Sequence, residues 1–235
     1  RRPATSYSRG KTLAASLTDL EQEPVARDDA DAVEFRMDLA SAPSDALGDY
    51  TGSLPVIATN RIETEGGQAT ESPDRYAALA YALEHPRVTA IDIELRALEQ
   101  SKKAQELADS ARETETTIIV SSHDFTTTPD KQALETNLDA ALEWGDIAKL
   151  SVTATDYNDV LTVLKLTWAY SSKNHPVATM CMGEIGRHSR VIAPLYGSKI
   201  GYAPISTDSA TAPGQFALSE LRELLTTLRP HHERE

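Results

Sequence analysis

Short apolar runs recur along the whole chain, each followed by a longer stretch with helical spacing. The runs are TLAASL (12–17), AVEFRMD (32–38), LPVIAT (54–59), TAIDIEL (89–95), TTIIVSS (116–122), DIAKLSV (146–152), PVATMCM (176–182) and KIGYAP (199–204). Rich in Val, Ile, Thr and Ala and too short for stable helices, they read as β-strands. SPDRYAALAYALE (72–84) opens with Ser72 as N-cap and Pro73 in the first helical position. TPDKQALETNLDAALEW (128–144) repeats the device with Thr128 and Pro129, and places Leu134, Leu138 and Leu142 on one face. Segments 96–113, 157–172 and 216–229 also read as helices; those between the first three strands are weaker, and the one after the seventh is short. Strands alternating with helices imply right-handed crossovers and a parallel sheet. Eight such units in 235 residues predict a single (β/α)8 TIM barrel over 1–235, with 1–10 and 231–235 as loose ends. The open doubly wound sheet is the alternative, but no GxGxxG turn follows the first strand.

Charge narrows the partners. The formal net charge is −13, from 23 Lys and Arg against 36 Asp and Glu. A basic face for nucleic acid is not expected. No run approaches the roughly 18 apolar residues of a membrane span, and RRPATSYSRGK has no apolar segment of the signal-peptide kind. So acidic a chain, with 8 lysines and 15 arginines, reads as salt-adapted, its surface keeping it soluble where attraction between charges is screened. An ordinary acidic cytoplasmic enzyme is the plainer alternative. One cysteine, Cys181, excludes an internal disulfide framework and reads as packing; the six histidines show no metal-ligand spacing.

In a barrel of this kind the chemistry sits at the C-terminal ends of the strands. Lys149 is the most unusual residue, a lysine inside the apolar run DIAKLSV. Pointing inward it would be desolvated, which favours the neutral amine that attacks carbonyls; pointing outward it would snorkel between helices. Strand alternation makes the two about equal. His123 ends the neighbouring run in SSHDF and suits proton transfer, although a lone histidine is more often structural. Asp124 faces the other way and suits the loop beyond it. Glu34 and Arg36 share one side of a strand, with Asp38 beyond them, and can bind a polar ligand or pair with each other. Asp92 and Glu94 share a side of IDIEL, indicating a polar lumen near the top. Arg61 and Glu65 lie in TNRIETEGG, where Glu65 could orient an imidazole or hold a substrate hydroxyl, or the loop could be plain acidic surface. Arg190 could clamp a carboxylate, with Arg187 and His188 as close competitors; Thr211 and Gln215 in TAPGQ could hold a ligand or simply cap a turn.

Taken together and in this order, VEFRMD, TNRIETEGG, IDIEL, SSHDF before TP, AKLSVTATDYNDVL, MCMGEIGRHSR with the later YGS, and TAPGQ resemble type I 3-dehydroquinate dehydratase. The resemblance runs from the first strand near Ser16 to the last helix. It implies a (β/α)8 barrel working without metal or organic cofactor, a lyase of the shikimate pathway that removes water from 3-dehydroquinate to give 3-dehydroshikimate. By motif, Lys149 resembles the Schiff-base lysine, His123 the general acid/base and Glu65 its partner. Glu34, Arg36, Arg61, Arg190, Thr211, Gln215, Ser16 and Met182 resemble the substrate-binding set, with Arg190 on the carboxylate. A cytoplasmic homodimer is the family expectation. Thr211 stands where the family often has serine, Asn60 where an aromatic is common, and Tyr202 where phenylalanine is frequent. A class I aldolase would share the lysine chemistry, but no clear Gly-rich phosphate loop follows the seventh strand. A non-catalytic acid-binding barrel would have no need of Lys149 or His123.

Overall fold

A computed structural model describes Tyr7 and residues 10–228. All eight apolar runs form strands: β1 (Thr12–Leu17), β2 (Ala32–Arg36), β3 (Val56–Thr59), β4 (Val88–Glu94), β5 (Thr117–Asp124), β6 (Ile147–Thr153), β7 (Val177–Met182) and β8 (Ile200–Pro204). They make one parallel sheet in the order β7-β6-β5-β4-β3-β2-β1-β8. Between β7 and β8 there is no regular ladder among the described residues. Lys199 N bonds to Val177 O at 2.8 Å, and Ser198 Oγ accepts from Thr179 N at 3.0 Å. The result is a nearly closed (β/α)8 barrel.

The helices are α1 (Glu23–Ala26), α2 (Pro43–Gly48), α3 (Pro73–Leu83), α4 (Leu95–Gln100), α5 (Lys102–Glu113), α6 (Lys131–Trp144), α7 (Tyr157–Ser171), α8 (Gly183–Gly186), α9 (Ser189–Ile192) and α10 (Leu218–Leu228). Three local expectations change. The segment 96–113 is two helices, because Ser101 adopts extended backbone and its hydroxyl caps α5 by accepting from Ala104 N. α6 begins later than Thr128: Asp130 is its cap, accepting from Ala133 N at 2.9 Å, while the Thr128 hydroxyl donates to Thr153 O. Ser72 precedes α3, and its side chain makes no capping bond. Leu134 and Leu138 are buried as the spacing predicts, and Leu142 is partly buried.

Period-2 alternation divides the strands between two cores. Outward residues such as Val33, Phe35, Ile91, Ile93, Val120, Leu150 and Cys181 pack in the main hydrophobic cluster that includes the helices. Inward residues at the strand starts, including Ala14, Ala32, Ile57, Ala90, Ile119, Ile147, Ala178 and Ile200, form a separate apolar plug. Tyr7 belongs to this plug: although it lies in a segment expected to be loose, it is buried, and its hydroxyl bonds to Thr89 Oγ1 at 2.7 Å. The tail 231–235 lies outside the described residues. One pleat higher, the inward positions turn polar: Ser16, Glu34, Thr59, Asp92, Ser121 and Lys149. No helix among the described residues is long and apolar enough to cross a membrane.

Candidate active site

Lys149 points inward and is buried. Its amine lies 2.9 Å from Asp92 Oδ2 and 3.6 Å from Glu34 Oε1. The expectation of bare desolvation therefore changes: burial is present, but two carboxylates and an aromatic face accompany it. The aromatic is Tyr202, whose ring centroid lies 4.1 Å from Nζ. Asp92 is the hub of the layer. It accepts from Lys149, from Ser121 Oγ at 2.6 Å and from Arg61 Nη2 at 2.7 Å. Burial opposes its ionisation, but the Arg61 and Lys149 cations prevail and hold its carboxyl well below the usual carboxylate range.

Arg61 also reaches Glu94 at 3.0 Å, and Glu94 in turn binds Arg75 of α3 at 2.7 Å. This buried chain of alternating charges satisfies each ion on more than one side, which is what makes burial tolerable. Glu34 is held by Ser16 Oγ at 2.6 Å and Thr59 Oγ1 at 3.3 Å. Arg36 pairs not with Glu34 but with Asp38, through two bonds of 2.9 and 2.7 Å.

His123 is the penultimate residue of β5, with Nδ1 3.0 Å from Glu65 Oε2. Glu65 is delivered by the tight EGG turn. Gly66 follows it at φ +82°, and a Cβ there would fall 2.3 Å from the Phe125 ring. Phe125 stacks on His123, with centroids 6.1 Å apart and planes at 16°. Burial, reinforced by the Arg61 and Lys149 cations, keeps His123 well below the ordinary imidazole value. Burial lifts Glu65 to about 7, against the pull of Arg61. Above that pH the arrangement is a carboxylate accepting from a neutral imidazole's Nδ1–H, which leaves Nε2 with a free lone pair. Asp124 faces away and accepts from Thr126 N and Thr127 N, holding the loop as its position suggested.

Of the three cations after β7, the structure separates Arg190. Arg187 lies over the Phe216 ring at 4.1 Å, and His188 is exposed beside Tyr157. Arg190 is buried in the same pocket as Lys149 and His123, with no carboxylate paired to it among the described residues. Its bonds are to Pro213 O at 3.2 Å and Met180 Sδ at 3.6 Å, and Nε has no partner among those residues. Burial without a counter-ion pushes it down to about 10. A buried cation in that state gains stability from any anion placed beside it.

Glu34, Arg36, Arg61, Glu65, His123, Lys149, Met182, Arg190, Thr211 and Gln215 line one pocket, together with Gly66, Phe125, Ser151, Met180, Tyr202 and Ala212, which were not among the expected site residues. Ser16 does not line it, because its hydroxyl is spent on Glu34. Gln215 Oε1 turns back into its own loop, accepting from Thr211 N and Ala212 N. Sequence reasoning recorded Asp92 only as a sign of a polar lumen and passed over Arg75 and Phe125. Arg75 did leave a signal: a cation in the first turn of a helix opposes the helix dipole and needs another reason to be there. Among the described residues, no group of three or more His, Cys, Asp or Glu is arranged to hold a metal ion.

Relatives share this frame. A 3-dehydroquinate dehydratase of Haloarcula marismortui is 47% identical over 220 residues, covering 93% of this chain and 96% of that protein. One from Halobacterium salinarum is 48% identical over 219 residues, covering 92% and 97%. These are halophilic archaea, which fits the salt-adapted reading of the acidic surface. Among solved structures, the 3-dehydroquinate dehydratase of Geobacillus kaustophilus superposes with a TM-score of 0.82 at 26% identity, over 94% of this chain and 91% of that one. The type I enzyme of Clostridium difficile, solved with covalent modified comenic acid, gives a TM-score of 0.82 at 25% identity, over 94% and 93%. With residues 9–231 matching its family model, this chain belongs to the Type I 3-dehydroquinase family, a family of lyases.

Proposed function

We propose that this protein dehydrates 3-dehydroquinate to 3-dehydroshikimate through a Schiff base on Lys149. The observation that carries the reading is one pocket holding a buried lysine, a neutral histidine oriented by a carboxylate, and a buried arginine without a counter-ion among the described residues. The substrate carboxylate docks on Arg190 and its ketone meets Nζ. Nζ gives up one proton and adds to the ketone; a proton is taken up again as the carbinolamine hydroxyl leaves as water, giving an iminium. The iminium charge accepts electrons when a proton leaves the adjacent carbon, a step that an isolated ketone supports poorly. His123 Nε2 takes that proton. Its protonated form is disfavoured here, so it returns the proton readily to the departing hydroxyl. Hydrolysis of the product iminium restores Lys149. The covalently modified Clostridium difficile relative supports an adduct-forming site.

An aldolase would release an aldehyde; this reaction releases an enone that absorbs in the ultraviolet. The test is borohydride in the presence of 3-dehydroquinate, followed by peptide mass analysis. The expected result is a mass increase on the AKLSV peptide, absent in Lys149→Ala. An unmodified Lys149 peptide, with turnover intact, refutes the mechanism.

The working unit in this proposal is a cytoplasmic homodimer that acts on a small molecule and not on nucleic acid. The acidic charge supports the last point. A lone, buried Cys181 agrees with a reducing compartment. Exposed Tyr157, Leu161 and Trp168 on α7, with Leu195 and Tyr196 beside them, make an apolar face on an otherwise acidic chain. Sedimentation in molar KCl reads the oligomeric state: Trp168→Glu is expected to yield monomers, and a wild-type monomer refutes the assignment.

A further inference from the structure

Tyr202 has two properties that conventional hydrogen bonding does not reconcile. It is buried inside the barrel, and its hydroxyl has no hydrogen-bond partner among the described residues. An orphaned buried hydroxyl costs stability, so hydrogen bonding is not what places a tyrosine here. The ring has a clear relation to its surroundings, because Lys149 Nζ stands 4.1 Å from its centroid. The amine is thus enclosed by two kinds of negative potential. Asp92 and Glu34 meet it from β4 and β2, and the Tyr202 π-face meets it from β8. Cations face the same space, with Arg61 on Asp92 and Arg190 on Met180 at its edge.

We propose that the Tyr202 ring is an electrostatic partner of the Lys149 nitrogen that stabilises its cationic iminium during turnover. The inference rests on the Schiff-base reading above. Carboxylates and a ring act differently across that cycle. Asp92 accepts a hydrogen bond from an ammonium, and once the nitrogen is bonded to substrate carbon it has fewer protons to donate. A π-face needs no proton, only positive charge over it; the ammonium spends its protons on Asp92 and Glu34, whereas the planar iminium can lie against the ring, so the ring attracts the iminium more strongly than the ammonium. That attraction is lost when the iminium gives up its charge to the enamine and regained when the hydroxyl leaves. Tyr202 would therefore favour the two charged intermediates that flank proton removal, and its hydroxyl is incidental to that role.

The test separates charge from shape. Tyr202→Phe keeps the ring and removes only the orphan hydroxyl. It is expected to trap on Lys149 within about twofold of the parent and to melt no lower. From that variant, mono-, di- and trifluorinated phenylalanines introduced at position 202 drain the π-face stepwise with little change in shape. At one subsaturating concentration of 3-dehydroquinate, the borohydride-trapped fraction is expected to fall in step with fluorination, by roughly threefold to thirtyfold across the series. Tyr202→Leu should resemble the far end of the series where it folds, and the fluorinated set carries the test where it does not. A flat series with normal trapping in the parent overturns the role of Tyr202 and leaves the Schiff base standing. Loss of trapping in Tyr202→Phe also overturns it, since the hydroxyl would then matter. A parent that never traps removes the Schiff base itself, and this role with it.

Discussion

Glu65→Gln tests the balance between stability and activity at this site. The Glu65 carboxyl is lifted by burial from 4.5 to about 7. A raised pKa means that the folded state binds a proton more tightly than the unfolded chain does. Folding stability therefore declines as pH rises from about 4.5 to about 7, and the loss is complete above that window. At about 1.4 kcal/mol per unit, holding Glu65 ionised costs on the order of 3 kcal/mol. Glutamine does not titrate, and its oxygen can still accept from His123 Nδ1–H across the 3.0 Å contact. Urea unfolding in molar KCl should find Glu65→Gln about as stable as the parent at pH 4.5 and about 3 kcal/mol more stable at pH 8. What glutamine cannot do is supply the negative charge that steadies the imidazolium. kcat at pH 8 is expected to fall roughly tenfold to a hundredfold, a part of the 10²–10⁴ attributed to general acid–base catalysis. The acidic limb of the parent's kcat–pH profile should lie near 7 and vanish in the variant. A stability difference that does not change between pH 4.5 and 8 would refute the reasoning, because the cost would then not come from ionisation.

Arg190→Gln should raise KM for 3-dehydroquinate by roughly a hundredfold while sparing kcat far more, because it removes a charge-assisted carboxylate site; steady-state kinetics read the split. Asp92→Asn strips the shared counter-ion from Lys149 and Arg61, and thermal unfolding should show a loss on the order of 3–5 kcal/mol. Dialysis from molar to millimolar KCl should lower the melting temperature as the −13 charge loses its screening; a salt-independent transition would remove the salt-adapted reading.

The barrel was legible because each strand is an apolar run of the right length, and all eight runs became strands. The helix boundaries were less legible, because capping is decided by one side-chain bond. Asp130 took the cap expected of Thr128, and Ser101 divided a segment whose periodicity continued through it. The pocket residues were legible in kind but not in pairing. Alternation placed Arg36 on the same side as both Glu34 and Asp38, and only the fold shows that Asp38 holds it. Arg190 could not be told from Arg187 by position, because the distinction lies in the surroundings: Arg187 has Glu220 at 3.8 Å and lies over Phe216, whereas Arg190 pairs with no carboxylate among the described residues. Glu65 was assigned to His123 by family resemblance alone, since a contact across 58 residues leaves no local trace.

The junction between β7 and β8 gives this cylinder a weak line along its wall. Seven neighbouring pairs are zipped by regular ladders, whereas here a serine hydroxyl stands in for part of the backbone pairing. Among the barrel strands, amide deuteration should therefore enter fastest at Thr179 and the start of β8, with β5 and β6 the last to exchange. Ser198→Ala would widen that gap in protection without touching the pocket. If the wall parts, it is expected to part lengthwise between the strand bearing Met182 and the strand bearing Tyr202, like a barrel with less glue on one stave.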